Sequence, residues 1–162
     1  MNFIIAGILF VICVFLGFKI ASSYKRKLNF VNDFKSLLDY LETNILYLQD
    51  NLQKLINDKL NSFHADFKDF LQKYTKNLQN CEEFLGKWVQ DQKLVDSETA
   101  DIIKKFLLSL GRQDSSTQLQ TIKQTNEILS KRIDFVQNEQ KKGVLSAKLG
   151  VMGGLVLFII VI

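Results

Sequence analysis

Residues 97–136 read SETADIIKKFLLSLGRQDSSTQLQTIKQTNEILSKRIDFV, and this stretch decides the fold. Apolar side chains recur at three- and four-residue steps on both sides of residues 111–113, which predicts two amphipathic helices. Gly111 suits the left-handed stop of the first helix, and Asp114 suits the N-cap of the second. Because only three residues join them, the two helices are expected to form an antiparallel hairpin. The second helix is predicted to carry its apolar residues on one side: Leu119, Ile122, Leu129, Ile133 and Val136.

The same helical period continues toward the N-terminal side of the hairpin. Ser97 is the expected N-cap of the first hairpin helix. Four further apolar stripes at helical spacing fall within residues 34–48, 52–60, 63–78 and 81–89. The chain contains no proline, which leaves long helices uninterrupted. The sequence therefore predicts an all-α fold, a compact bundle of about six helices, whose first helix continues from the preceding segment with only a small break.

Both ends of the chain are apolar and uncharged, from Phe3 to Phe18 and from Leu149 to Ile162. The first run is slightly shorter than the roughly 20 residues that span a bilayer, and the second is shorter still and spans only if it begins near Val144. Lys19 and Lys148 can extend their stems to the headgroups and so lengthen both runs. We therefore predict an N-terminal transmembrane anchor over 1–23, a helical-bundle domain over 24–143 and a C-terminal transmembrane helix over 144–162.

The positive charge lies beside these two apolar ends and not in the domain between them. Residues 1–27 carry four basic and no acidic side chains and residues 141–162 carry three, so the net charge of +4 leaves −3 for residues 28–140. A mildly acidic domain argues against a nucleic-acid partner, which would need clustered Lys and Arg. Basic residues are retained on the cytoplasmic side of a membrane, so the domain is predicted to face the cytoplasm. These flanking charges are Lys19, Lys25, Arg26, Lys27, Lys141, Lys142 and Lys148.

Glycines are concentrated in the C-terminal apolar run, at Gly150, Gly153 and Gly154. The four-residue spacing of Gly150 and Gly154 is the one that allows two membrane helices to approach closely. One interpretation is a specific packing face for another span. The alternative is that glycine is simply frequent in membrane helices.

The sequence lacks the groups that catalysis and cofactor binding usually need. His64 is the single histidine and lies between Phe63 and Phe67, which favours a packing or surface role over a catalytic one. Cys13 and Cys81 cannot form a disulfide framework and do not have metal-ligand spacing. No glycine-rich phosphate loop is present. We expect no catalytic residue, no cofactor and no metal, and hence a protein that is not an enzyme.

Four segments of the chain resemble one known family. The hairpin joint Leu110-Gly111-Arg112-Gln113-Asp114, followed by Gln118 and Ile122, is similar to the L-G-x-x-D-x-x-x-Q-x-x-x-I pattern of the stage III sporulation protein AB family. The other three resemble, in the family's order, the end of its first anchor, its S-L-E-x-E-I-x-Y helix and its terminal L-G-x-x-x-G-L span: residues 17–21, 38–47 and 149–162. One departure is visible, because family members commonly carry proline just after the tyrosine that corresponds to Tyr47.

The resemblance implies a part in the complex that links mother cell and forespore, with a domain similar to the platform proteins of type II secretion and type IV pilus machines. The expected partners are other subunits of that complex, including a secretion-type ATPase, together with membrane lipid. The expected location is the outer forespore membrane, with the domain facing the mother-cell cytoplasm. A two-span regulatory adaptor is the alternative function, and homo-oligomerisation is left open. The hairpin joint is then either structural or a docking point, with Arg112 and Gln113 exposed.

Overall fold

The computed structural model describes residues 2–44 and 48–161 of the chain. These residues form α-helices joined by short turns, including two 3-10 turns at Leu60–Ser62 and Leu78–Asn80, and they contain no strand. The all-α prediction is confirmed. The helices are α1 (Asn2–Thr43), α2 (Leu48–Lys59), α3 (Ala65–Lys76), α4 (Cys81–Asp91), α5 (Ser97–Ser109) and α6 (Ser115–Val161).

The first and last helices are longer than the sequence reading expected. α1 contains no break between its apolar beginning and its amphipathic end, so the small interruption that we predicted is absent. The physical reason is that no glycine or proline occurs between Gly17 and the end of this helix, and nothing in that stretch disfavours helical backbone. The predicted C-terminal segment 144–162 likewise continues α6 as far as Val161. The joint between α1 and α2, with Ile45 to Tyr47, lies outside the described residues.

Within the described residues, no helix combines the length and the apolar character needed to cross a membrane. The transmembrane segments 1–23 and 144–162 and the domain limits 24–143 stay predictions.

The chain divides into two compact units, one formed by residues 1–28 with 134–162 and the other by residues 29–133. The second unit, hereafter the bundle, contains the end of α1, all of α2 to α5 and the beginning of α6. Its core is apolar because each helix directs one stripe inward, as the spacing predicted. Fully burying one such side chain stabilises the fold by about 1.5–3 kcal/mol. The most deeply buried aliphatic side chains include Leu37, Leu38, Leu41, Ile56, Leu71, Leu85 and Ile103.

Aromatic rings fill the centre of the bundle. Phe30 of α1 meets Phe67 edge-to-face at 5.1 Å between ring centroids, and Phe34 meets Phe106 in the same way at 5.7 Å. Trp88 lies 4.5 Å from Phe70, also between centroids. Such ring pairs contribute about 0.5–1.5 kcal/mol each beyond the area that they bury. The phenylalanine stripes are therefore core, which ties α1, α3, α4 and α5 together.

One polar contact sets the start of α5 differently from the sequence prediction. Asp96, not Ser97, is the N-cap, because its Oδ2 accepts a hydrogen bond from the Thr99 backbone N–H at 3.0 Å. The same oxygen accepts the Thr99 hydroxyl at 2.9 Å and lies 3.6 Å from the Arg132 guanidinium of α6. Arg132 also pairs with Glu98. A carboxylate is favoured over a hydroxyl here because the facing arginine adds a charge interaction to the cap.

Candidate functional site

The hairpin joint between α5 and α6 has the local geometry that its sequence predicts. Leu110 is buried, and Gly111 has φ 75°, in the left-handed region that favours glycine. A Cβ built on Gly111 would meet only Leu52, at an ordinary 3.9 Å, so the backbone conformation and not the space requires glycine. The Arg112 backbone N–H returns to the Ser109 carbonyl at 3.2 Å and closes the turn.

Asp114 caps α6 through its carboxylate. Its Oδ2 accepts the Thr117 backbone N–H at 3.0 Å and also the Ser116 hydroxyl, and its carbonyl accepts the Gln118 N–H at 2.8 Å. The bond from Ser116, followed by those from Thr117, holds the pKa of the Asp114 carboxyl below its ordinary value of 3.8. The folded state therefore favours the charged form of this exposed carboxyl, which is the form that caps α6.

A buried amide ties the start of α6 to the hairpin joint. Gln118 is 2% exposed, and its Oε1 accepts the Gly111 backbone N–H at 3.1 Å. Gln113, which was expected to be exposed, is half-buried, and its Oε1 accepts the Thr121 hydroxyl at 3.1 Å. The core face at the start of α6 therefore runs through Gln118 and Ile122, while Leu119 is only half-buried. Gln118, the residue before Leu119, is thus the more deeply buried of the two at the start of α6.

Tyr74 of α3 supports the joint through a hydrogen bond to the end of α5. Its hydroxyl donates to the Leu107 carbonyl of α5 at 3.0 Å, and the ring is 1% exposed. Burial raises the pKa of the Tyr74 phenol above its ordinary value of 10.0, nearby Cys81 adds to the rise, and Arg112 opposes it. The phenol is therefore a neutral donor at physiological pH.

Beside the hairpin joint lies a polar cleft of about 440 Å³. The exposed Arg112 places Nη2 at 3.5 Å from the buried thiol of Cys81, the first residue of α4. Glu82 and Glu83 follow in the first turn of α4 and line the same cleft. Charges of both signs at a helix hairpin can form ion pairs with a protein partner. The described residues contain no group of three or more side chains suited to a metal ion.

His64 is remote in sequence from the joint and pairs with α1. Its backbone N–H donates to Asp33 Oδ2 at 2.8 Å, and its Nδ1 lies 3.0 Å from both carboxylate oxygens. Asp33 is buried, whereas the His64 side chain is 60% exposed. Because His64 immediately precedes α3, the pair fixes the start of that helix against α1. Sequence reasoning missed this partner, since a contact over 31 residues leaves no local pattern.

The flanking cations lie on α1 and α6. Lys19, Lys25 and Arg26 are exposed and Lys27 is half-buried, while those of α6 are all exposed: Lys141, Lys142 and Lys148. All seven belong to the unit formed by residues 1–28 and 134–162. The predicted packing face falls at positions of α6 whose surroundings lie outside the described part of the structure: Gly150, Gly153 and Gly154.

The chain combines the bundle with a separate unit that contains the outer parts of α1 and α6, and a capped joint connects α5 to α6. It is therefore an all-α protein, the fold class that the sequence predicted. The chain belongs to the stage III sporulation protein AB family, whose sequence profile matches residues 2–162. No curated protein and no solved structure matches the chain.

Proposed function

We propose that this chain is a non-enzymatic membrane platform of a sporulation-specific, secretion-like complex that crosses the envelope between mother cell and forespore. Family membership supports the role in sporulation. One observation carries the membrane part of the proposal. Large apolar side chains of α1 are 47–74% exposed along one stretch: Ile8, Val11, Ile12, Phe15, Leu16, Phe18 and Ile20.

The cost of these side chains in water favours a lipid environment. Fully burying one of them is worth about 1.5–3 kcal/mol, so covering the exposed half contributes on the order of 1 kcal/mol each. The apolar side chains of α6 in the same unit add to this surface, with Leu145, Leu149 and Met152 exposed by 58–64%. Scattered hydrophobic residues are normal on a soluble protein, but contiguous ones call for a covering partner. A bilayer covers such a surface on all sides.

The distribution of charge supports one orientation. The basic clusters Lys25-Arg26-Lys27 and Lys141-Lys142 both lie between the apolar stretches and the bundle in the sequence. Retention of such clusters on the cytoplasmic side would leave the bundle in the mother-cell cytoplasm, with the chain in the outer forespore membrane.

The hairpin tip, formed by the joint residues 110–114, is the surface that we propose for contact with a secretion-type ATPase. Gly111 and Arg112 are exposed there, and the neighbouring cleft carries the carboxylates of Glu82 and Glu83. The tip is held in one conformation by the Asp114 cap and by Gln118, so little order would be lost on docking. Arg112 can form bidentate hydrogen bonds with a partner's carboxylate.

Affinity capture of the tagged full chain from sporulating cells, followed by mass spectrometry, tests this function. The expected prey are a secretion-type ATPase and other subunits of the complex, and deletion is expected to abolish spores without slowing vegetative growth. Arg112→Ala should lose the ATPase, whereas Lys105→Ala, an exposed cation on α5, should retain it. Recovery of a signalling protein in place of the ATPase, with normal spores on deletion, would favour the two-span adaptor.

A further inference from the structure

An apolar groove runs between α1 and α6 inside the unit formed by residues 1–28 and 134–162. It has a volume of about 520 Å³. Small-molecule sites occupy about 300–1,000 Å³, so the groove is large enough for part of a lipid chain. Small side chains form much of the α1 wall, and one cation lies on the α6 wall; the lining residues are Val14, Gly17, Phe18, Ala21, Val144, Lys148 and Met152.

A second cleft of about 410 Å³ adjoins this groove along α6. The two share Val144 and Lys148, and the second adds Lys141 two turns earlier on the helix, together with Gln140 and Leu145. Among the described residues that line the two clefts, none is acidic. One end of the combined surface is thus apolar and the other carries two ammonium groups, both exposed.

We propose that this groove binds one anionic phospholipid, with an acyl chain against Val14, Gly17 and Ala21 and the phosphate beside Lys148 and Lys141. The inference rests on the membrane placement proposed above. Basic pockets between membrane helices on the cytoplasmic side are suited to anionic headgroups. Lysine can extend its ammonium to the headgroup level while its stem lies on apolar surface, as required of Lys148 among Phe18 and Met152.

The charge of the groove distinguishes a lipid from another helix as its occupant. A second span packed there would bring an apolar surface against Lys148 and leave its ammonium to find a new partner, which is costly in hydrocarbon. A phospholipid supplies apolar surface and a phosphate in one molecule. An anionic phospholipid is favoured over a zwitterionic one, because a headgroup with net negative charge is attracted more strongly by the two lysines.

Native mass spectrometry of the full chain in detergent, titrated with phosphatidylglycerol or phosphatidylcholine, tests the proposal. The parent should bind one phosphatidylglycerol in preference to phosphatidylcholine. Lys148→Gln should weaken phosphatidylglycerol binding by about fivefold, the effect of one lysine at a membrane surface. Lys142→Gln is the matched control, because this exposed lysine of α6 lines neither cleft, and it should bind as the parent does. Ala21→Leu, which fills the groove, should weaken both lipids.

Flotation of the same variants with liposomes separates the two proposals. If the parent does not float, the membrane platform itself is wrong. If the parent floats but binds both lipids equally, the lipid site is wrong while the platform stands. The same conclusion follows if Lys148→Gln and Lys142→Gln weaken phosphatidylglycerol binding to the same extent. A dimer mass without bound lipid would mean that a second copy fills the groove, and would overturn the lipid site.

Discussion

Replacement of Tyr74 by phenylalanine tests how the end of α5 is held. In a helix that continued, the Gly111 N–H would donate to the Leu107 carbonyl, but here it donates to Gln118. The Tyr74 hydroxyl supplies the donor instead, at 3.0 Å and in a buried position. Tyr74→Phe keeps the ring and its packing while leaving that carbonyl without this donor. The loss of one net hydrogen bond costs about 0.5–1.5 kcal/mol and an unsatisfied buried acceptor about 1–3 kcal/mol, so we expect about 1–3 kcal/mol of destabilisation.

The assay is urea unfolding of the full chain in mild detergent, followed by tryptophan fluorescence. Trp88 is the sole tryptophan and packs on Phe70, so its emission reports unfolding of the bundle. The midpoint should fall with an unchanged slope. Tyr40→Phe is the matched control: Tyr40 is half-buried, and its ring, which Lys59 overlies at 5.5 Å, is retained. Equal midpoints for Tyr74→Phe and the parent would refute the account of the α5 end.

The raised pKa of Tyr74 adds a second, independent signature. Because the neutral phenol is favoured in the folded state, its contribution to stability is fully present below the unfolded pKa of about 10. It is lost progressively as the pH rises above that value, since the unfolded chain then releases the proton first. The stability difference between parent and Tyr74→Phe should therefore be constant from pH 7 to about pH 9 and shrink at higher pH. A constant difference up to pH 11 would contradict the burial of the phenol.

Three further changes test the joint and the topology. Asp114→Ala should lower the melting temperature through loss of the α6 cap, and the difference from the parent should narrow as the pH falls below about 4, where the unfolded carboxyl takes up its proton. Gly111→Ala should destabilise by about 1–2 kcal/mol because of its positive φ, and asparagine at this position should be tolerated better than alanine; equal stabilities would contradict the strain argument. Lys93→Cys places a thiol at an exposed position between α4 and α5, in a chain whose Cys13 and Cys81 have been replaced. This thiol should resist an impermeant thiol reagent in intact cells, and ready labelling would mean that the bundle faces the outside.

The hairpin was predictable because its determinants are local. Gly111 and Asp114 act through their own backbone and the next turn, so their residue types are sufficient to indicate a left-handed stop and a cap. The apolar stripes likewise indicated which faces of the helices are buried, from Phe34 to Leu107. The competing cap at Asp96 was harder to predict. Asp96 and Ser97 are both good N-cap residues, and the choice depends on Arg132, 36 residues away in the sequence.

Polar contacts between distant helices could not be predicted from the sequence. Lys35 donates to Asn126 at 2.6 Å and Asn126 donates to Asp39 at 2.7 Å, a clamp between α1 and α6 that spans about 90 residues. Gln118 offered a usable signal, since a polar residue in step with Ile122 and Leu129 on a core-facing stripe needs an internal hydrogen-bond partner. The identity of that partner, a backbone N–H across the joint, depends on tertiary geometry.

The aromatic centre of the bundle has a consequence for biosynthesis. Phe34 of α1 packs on Phe106 of α5, so the rings that belong together are made about 70 residues apart. At a synthesis rate of about 5–20 residues per second, Phe106 is made on the order of 4–15 s after Phe34. Phe30 and Phe34 first gain ring partners when α3 is made, and Phe34 still lacks Phe106 until α5 follows, while both belong to a helix that begins with an apolar segment. If that segment inserts into a membrane as proposed above, insertion would hold the nascent helix away from other chains until α5 emerges.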